Sequence, residues 1–86
     1  MKNLKSARKK IDSIDKRIIL LLSERFGMAK GLKRLKKQQN LRIRDRAREK
    51  EVIDNARTMA KQHDIKPEFA EELFKKIVRY TRQKQR

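Results

Sequence analysis

Residues 4–37 read LKSARKKIDSIDKRIILLLSERFGMAKGLKRLKK, and this stretch decides the fold. Leu4, Ala7, Ile11, Ile14, Ile18, Leu21, Arg25, Met28, Leu32 and Leu35 recur at alternating steps of three and four, which places them along one seam of a helix. Nine of these ten seam positions are apolar, and no proline interrupts them. The spacing predicts a single helix over about 4–37, on the order of 50 Å long at about 1.5 Å per residue.

Outward from that helix, Gln38-Gln39-Asn40 breaks the pattern, and Leu41 to Arg44 reads as a loop. Asp45 is a good N-cap for a second helix over about 45–63, with Val52, Ile53, Ala56, Met59 and Ala60 on its apolar face. Pro67 suits the first position of a third helix over about 67–85, striped by Phe69, Ala70, Leu73, Phe74, Ile77 and Val78. The expected architecture is all-α, one domain over residues 1–86. Each later helix, at about 18 residues, reaches only about 27 Å and cannot cover the seam of the first. A second copy of the chain would, which predicts an intertwined homodimer with the long helices paired. Gly27 and Gly31, four apart inside the first helix, suggest close approach of a neighbouring helix or room for a ligand.

Composition narrows the function. Only 36% of the residues are apolar and 5% aromatic, a thin core for 86 residues. Lys and Arg number 27 against 11 Asp and Glu, a net charge of +16, so the partner should be an anion: nucleic acid, a membrane surface or a small polyanion. With no cysteine there is no thiolate nucleophile or Cys-based zinc site, and the lone His63, expected at the surface, cannot form a metal site by itself. No apolar run reaches the roughly 18 residues of a membrane span, and the N-terminus lacks a secretory core. The expected location is the cytoplasm, with no cofactor.

Polar residues at positions that belong to apolar ones are more informative. Arg25 interrupts the seam beside Leu21, Leu22 and Met28, where an uncompensated guanidinium is expensive. The stripe of the third helix continues into Thr81 and Gln85, and that of the second runs back to Glu49 and Arg48. Three helices that turn polar on their inward sides suit the wall of a small polar pocket. Lys36, eleven residues after Arg25, lies within roughly 20° of it around the helix, so both can reach one ligand. Arg8 lies roughly 25 Å along the axis from Arg25 and could join the pocket only from a partner chain. Simpler readings exist for each residue. Arg25 could pair with Glu24, Glu49 or Glu72; Lys36 could belong to a solvated charge run; Thr81 and Gln85 could be a fraying terminus; Asp45 could be a cap alone.

Taken in order, Arg8-x-x-Ile11-Asp12-x-Ile14-Asp15, Leu21-Leu22-x-Glu24-Arg25 with Ala29, Lys36, Ile43-Arg44-Asp45-x-x-Arg48-Glu49, and Leu73-Phe74-x-x-Ile77 before Thr81 and Gln85 resemble the all-helical class of chorismate mutases. The resemblance spans nearly everything from Arg8 to Gln85 and implies an intertwined dimer whose active sites mix both subunits. It implies the Claisen rearrangement of chorismate to prephenate, on the route to phenylalanine and tyrosine. That reaction needs no nucleophile or proton transfer, in keeping with a chain that offers neither a Cys nor a Ser-His constellation. By the same resemblance, Arg25 and Arg44 of one chain and Arg8 of the other clamp the substrate carboxylates. Lys36 and Gln85 would meet the ether oxygen as charge develops on it. Glu49, with the Asp45 backbone, would hold the ring hydroxyl, Thr81 would bond a carboxylate, and Arg48 would brace the neighbouring acids. Gln85 stands one residue from the end of the chain, so it is expected to order with substrate, or with an activating pathway enzyme of the kind some family members use.

Three other functions compete with this reading. A basic nucleic-acid-binding helical protein suits the charge, although only Phe26, Phe69, Phe74 and Tyr80 are aromatic, which argues against it. An isochorismate pyruvate lyase would share the fold, but the Arg44-Asp45-x-x-Arg48-Glu49 segment resembles the mutases more closely. A regulatory domain that binds pathway ligands without turnover is the third.

Overall fold

Asn3 starts the first helix, α1 (Leu4–Gln38), by accepting the Ser6 N–H on its side-chain oxygen at 2.8 Å, which satisfies one of the donors a helix N-terminus leaves over. The computed structural model describes residues 3–40 and 45–85, the last by its backbone alone, and every regular element among them is helical. The expected loop at Leu41 to Arg44 lies outside the described residues. At its far end α1 stops where Asn40 adopts a left-handed conformation, φ 61°. The second helix, α2 (Arg46–Gln62), is capped by Asp45, whose carboxylate accepts the Arg48 N–H at 2.9 Å. It closes on His63 as C-cap, with Asp64 at φ 58° and the Ile65 N–H returning to the Ala60 carbonyl at 2.9 Å, a Schellman arrangement. The third, α3 (Pro67–Gln85), opens on its proline, whose missing N–H would have had no helical acceptor there.

The helix α3 packs against both others. Small residues make the tightest junction: Ala56 and Ala60 of α2 meet Ala70 of α3 in the buried core, with Phe74 against them. On the other flank Ala29 of α1 and Ile77 of α3 are buried, and the Phe26 and Tyr80 rings meet edge to face, 4.5 Å between centroids. An ion pair fastens α2 to α3, Arg57 Nη1 to Glu71 Oε1 at 2.7 Å, and Lys75 holds the other oxygen of Glu71 at 2.8 Å. Met59, Phe69 and Leu73, expected on the apolar faces, are instead exposed: none of the described residues covers them fully.

The outline is a rod, 56 × 24 × 16 Å, with a radius of gyration of 16.3 Å. A compact domain of this length would have about 12 Å. The long axis is α1 itself, and much of its seam has no cover: Ile11 is 55% exposed, Ile14 and Ile18 50% each, Leu21 63% and Met28 66%. A Cβ added at Gly27 or Gly31 would meet nothing within 4 Å. Among the described residues, no helix makes the close approach that is one of the two expectations for these glycines. None of the helices among the described residues is long and apolar enough to cross a membrane.

Candidate active site

Where the C-terminal half of α1, the first turn of α2 and the last turns of α3 converge, they enclose a pocket of about 250 Å³. Helix α1 contributes Arg25 and Lys36 to its wall, and α2 contributes Asp45, Arg48 and Glu49. Thr81 and Arg82 come from α3, and Met28, Leu32, Val52 and Val78 supply the apolar surface between the polar groups. Six residues singled out from the sequence, Arg25, Lys36, Asp45, Arg48, Glu49 and Thr81, therefore line one hollow. Arg25 and Lys36 reach it together because eleven residues are close to three whole turns.

Arg25 is half-buried and donates from Nη1 to the Thr81 hydroxyl at 2.9 Å, while that hydroxyl donates to the Ile77 carbonyl at 2.8 Å. Its partner among the described residues is thus a neutral oxygen and not Glu24, Glu49 or Glu72, so the interhelix ion pair open at the sequence level does not form. Burial pushes the Arg25 guanidinium below its ordinary pKa, and the Arg48 charge lowers it further. Two cations that raise each other's cost in a half-closed pocket are a ready receptor for an anion. Counted over its wall, the pocket sets four cations, Arg25, Lys36, Arg48 and Arg82, against the two carboxylates Asp45 and Glu49. Among the described residues the wall is therefore richer in cations than in carboxylates, which suits an anionic ligand.

The carboxylates are held by their own neighbours. Asp45 is committed through one oxygen to the cap of α2. Arg48 pairs with Glu51 on the exposed side of α2, and Glu49 meets Arg82 Nε at 3.1 Å. Arg82 was not anticipated from the sequence. A signal was there: Phe74, Val78 and Arg82 step by four along the inward face of α3, so Arg82 continues the apolar stripe just as Arg25 interrupts the seam of α1.

Of the other three expected site residues, the structure places the side chain of Arg8 alone. Arg8 is exposed near the start of α1, 17 residues from Arg25 and roughly 25 Å along the axis, as helix geometry requires. Arg44 lies outside the described residues, and α3 extends to Gln85, of which only the backbone is described. His63 is exposed at the end of α2, and among the described residues no group of His, Cys, Asp and Glu could hold a metal ion.

Known proteins share this sequence and shape. The sequence profile of the chorismate mutase type II family matches residues 7–86. A chorismate mutase from Methanocaldococcus jannaschii is 32% identical over 82 residues, 95% of this chain and 83% of that protein. A bifunctional chorismate mutase/prephenate dehydratase from Aquifex aeolicus is 39% identical over 62 residues, 72% of this chain but only 17% of the larger protein. Among solved structures, a conserved hypothetical protein from Pyrococcus furiosus superposes with a TM-score of 0.75 at 38% identity, covering 96% of this chain and 95% of its own. A profile match over nearly the whole chain, together with a pocket built from the residues that carry the resemblance, establishes that the chain belongs to the chorismate mutase type II family.

Proposed function

We propose that this protein is a chorismate mutase, converting chorismate to prephenate by binding the chair-like transition state of the rearrangement more tightly than the extended substrate. The observation that carries this reading is the convergence of Arg25, Lys36, Asp45, Arg48, Glu49 and Thr81, from three helices, on one pocket whose wall is rich in cations. The reaction is unimolecular, so the work of the protein is to restrain and to stabilise charge. Arg25, seated on Thr81, grips a substrate carboxylate as a fork, and Arg44 shares that task. Lys36 meets the ether oxygen as its bond to carbon breaks and negative charge grows there, with Gln85 donating a second bond. Glu49 and the Asp45 backbone take the ring hydroxyl. Arg48 steadies the acids beside it.

The active form is a homodimer. The uncovered α1 seam, with Ile11, Ile14, Ile18 and Leu21 half or more exposed, supports it, since a monomer leaves a long apolar stripe in water. A partner packed antiparallel along α1 would carry its own Arg8 toward this pocket as the remaining carboxylate clamp.

The test is incubation of the purified protein with chorismate, following its ultraviolet absorbance and identifying the product. Prephenate should form, and Lys36→Ala should lower kcat by about a hundredfold or more, as loss of a preorganised oxyanion donor does. Salicylate and pyruvate as products, or unchanged turnover in Lys36→Ala, would refute the assignment.

A further inference from the structure

The pairing of Arg82 with Glu49 is used by neither the family resemblance nor the mechanism above. The two meet at 3.1 Å, with side chains 22% and 20% exposed, so the pair is largely withdrawn from water. Arg82 Nε is buried and makes no aligned hydrogen bond, which leaves the Glu49 carboxylate as its compensation. Both residues line the active-site pocket. Both also line a neighbouring cleft of about 380 Å³ between α2 and α3, whose wall holds Arg46, Lys50, Lys75 and Arg79. Glu49 therefore stands between two cationic hollows, and its orientation decides which of them it serves.

We infer that Arg82 is a positioning residue for the rearrangement: its guanidinium holds the Glu49 carboxylate at the wall of the active-site pocket, aimed at the ring hydroxyl of the substrate. This inference rests on the chorismate mutase reading of the site. A carboxylate has about four acceptor positions, so one group can hold Arg82 and still accept from a hydroxyl. Without Arg82, the carboxylate of Glu49 loses a cation that fixes it at this wall while Arg46 and Arg79 of the α2–α3 cleft still attract it, and the cost of restoring its orientation falls on substrate binding. Because the hydroxyl takes no part in the bond exchange, the effect should appear chiefly in KM.

The experiment is steady-state turnover of chorismate by the full chain carrying Arg82→Leu, Arg82→Gln or Arg82→Lys, alone and combined with Glu49→Gln, with thermal unfolding measured alongside. Arg82→Leu and Arg82→Gln should raise KM about tenfold with kcat within about threefold, and Arg82→Lys should recover much of the loss, since it restores the charge if not the fork. On the Glu49→Gln background, Arg82→Leu should change KM by no more than about twofold, because the group it positions is already gone. Wild-type kinetics in both neutral variants at temperatures where they are folded would overturn the inference, as would an equal KM penalty with and without Glu49. Should Arg82→Leu fail to fold, the Gln and Lys variants carry the same comparison. Failure of the wild-type chain to turn over chorismate would remove the underlying reading, and this inference with it. A working wild-type enzyme indifferent to Arg82 would remove the inference alone.

Discussion

Replacing Thr81 by Val exchanges one hydroxyl for a methyl group of nearly the same shape, and so tests the seat of Arg25 without opening a cavity. In the structure that hydroxyl accepts from Arg25 Nη1 at 2.9 Å and donates to the Ile77 carbonyl at 2.8 Å. The second bond is a back-bond within α3, and its loss is of little consequence. The first is a hydrogen bond from a charged donor, for which loss costs about 1.5–3 kcal/mol when the donor is fully buried. Arg25 is only half-buried, and water reaches part of what the hydroxyl gave up, so about 1–1.5 kcal/mol is the appropriate share. Applied to the clamp, that is about a tenfold loss of kcat/KM, through KM if the hydroxyl orients Arg25 in the ground state and transition state alike. Thr81→Ser, which keeps the oxygen, should remain within about twofold of wild type. Initial rates on chorismate and thermal unfolding of both variants make the comparison. A Val variant indistinguishable from the Ser variant in rate and in unfolding temperature would show that Arg25 does not depend on this hydroxyl.

Mixing unfolded Arg8→Ala and Arg25→Ala chains and refolding them together should restore about a quarter of the wild-type sites, because half the dimers are mixed and each mixed dimer has one intact site of two; no recovery would mean that Arg8 does not cross between subunits. Gly27→Ala and Gly31→Ala should each raise stability by about 1 kcal/mol, since an added Cβ meets nothing within 4 Å, whereas a fall in unfolding temperature would place a helix of a second chain there. Hydrogen bonds from Lys75 and then Arg57 hold the Glu71 carboxyl below the usual carboxylate range, so its contribution is present above the unfolded value of about 4.3 and is lost as pH falls through the lower folded value. Glu71→Gln should accordingly flatten the loss of stability on acidification, as followed by unfolding temperature against pH. With a net charge of +16, kcat/KM should fall severalfold between low and high salt while kcat holds, because screening weakens capture of an anion and not the bound-state chemistry.

The sequence was most legible where a single helix sufficed to read it. The three-four spacing over residues 4–37, the Asp45 cap and Pro67 at the head of α3 are local signals, carried by periodicity and by backbone groups that need partners. The co-facial Arg25 and Lys36 follow from helix geometry in the same way, as does the separation of Arg8 from them. The pairing of groups on different helices was not legible. Whether Arg25 would meet a carboxylate or a hydroxyl depended on the depth at which α3 lies against α1, and the structure sets Thr81 there. Arg82 could be placed on an inward face from its register, but its partner across the α2–α3 junction depends on the close approach that Ala56, Ala60 and Ala70 permit. Met59 and Phe69 show the converse: apolar patterning marks a face for burial, and the tertiary arrangement decides whether anything of the same chain arrives to cover it. Periodicity is a property of neighbours along the chain, whereas contact between helices is settled by side-chain volumes and crossing geometry summed over the whole interface.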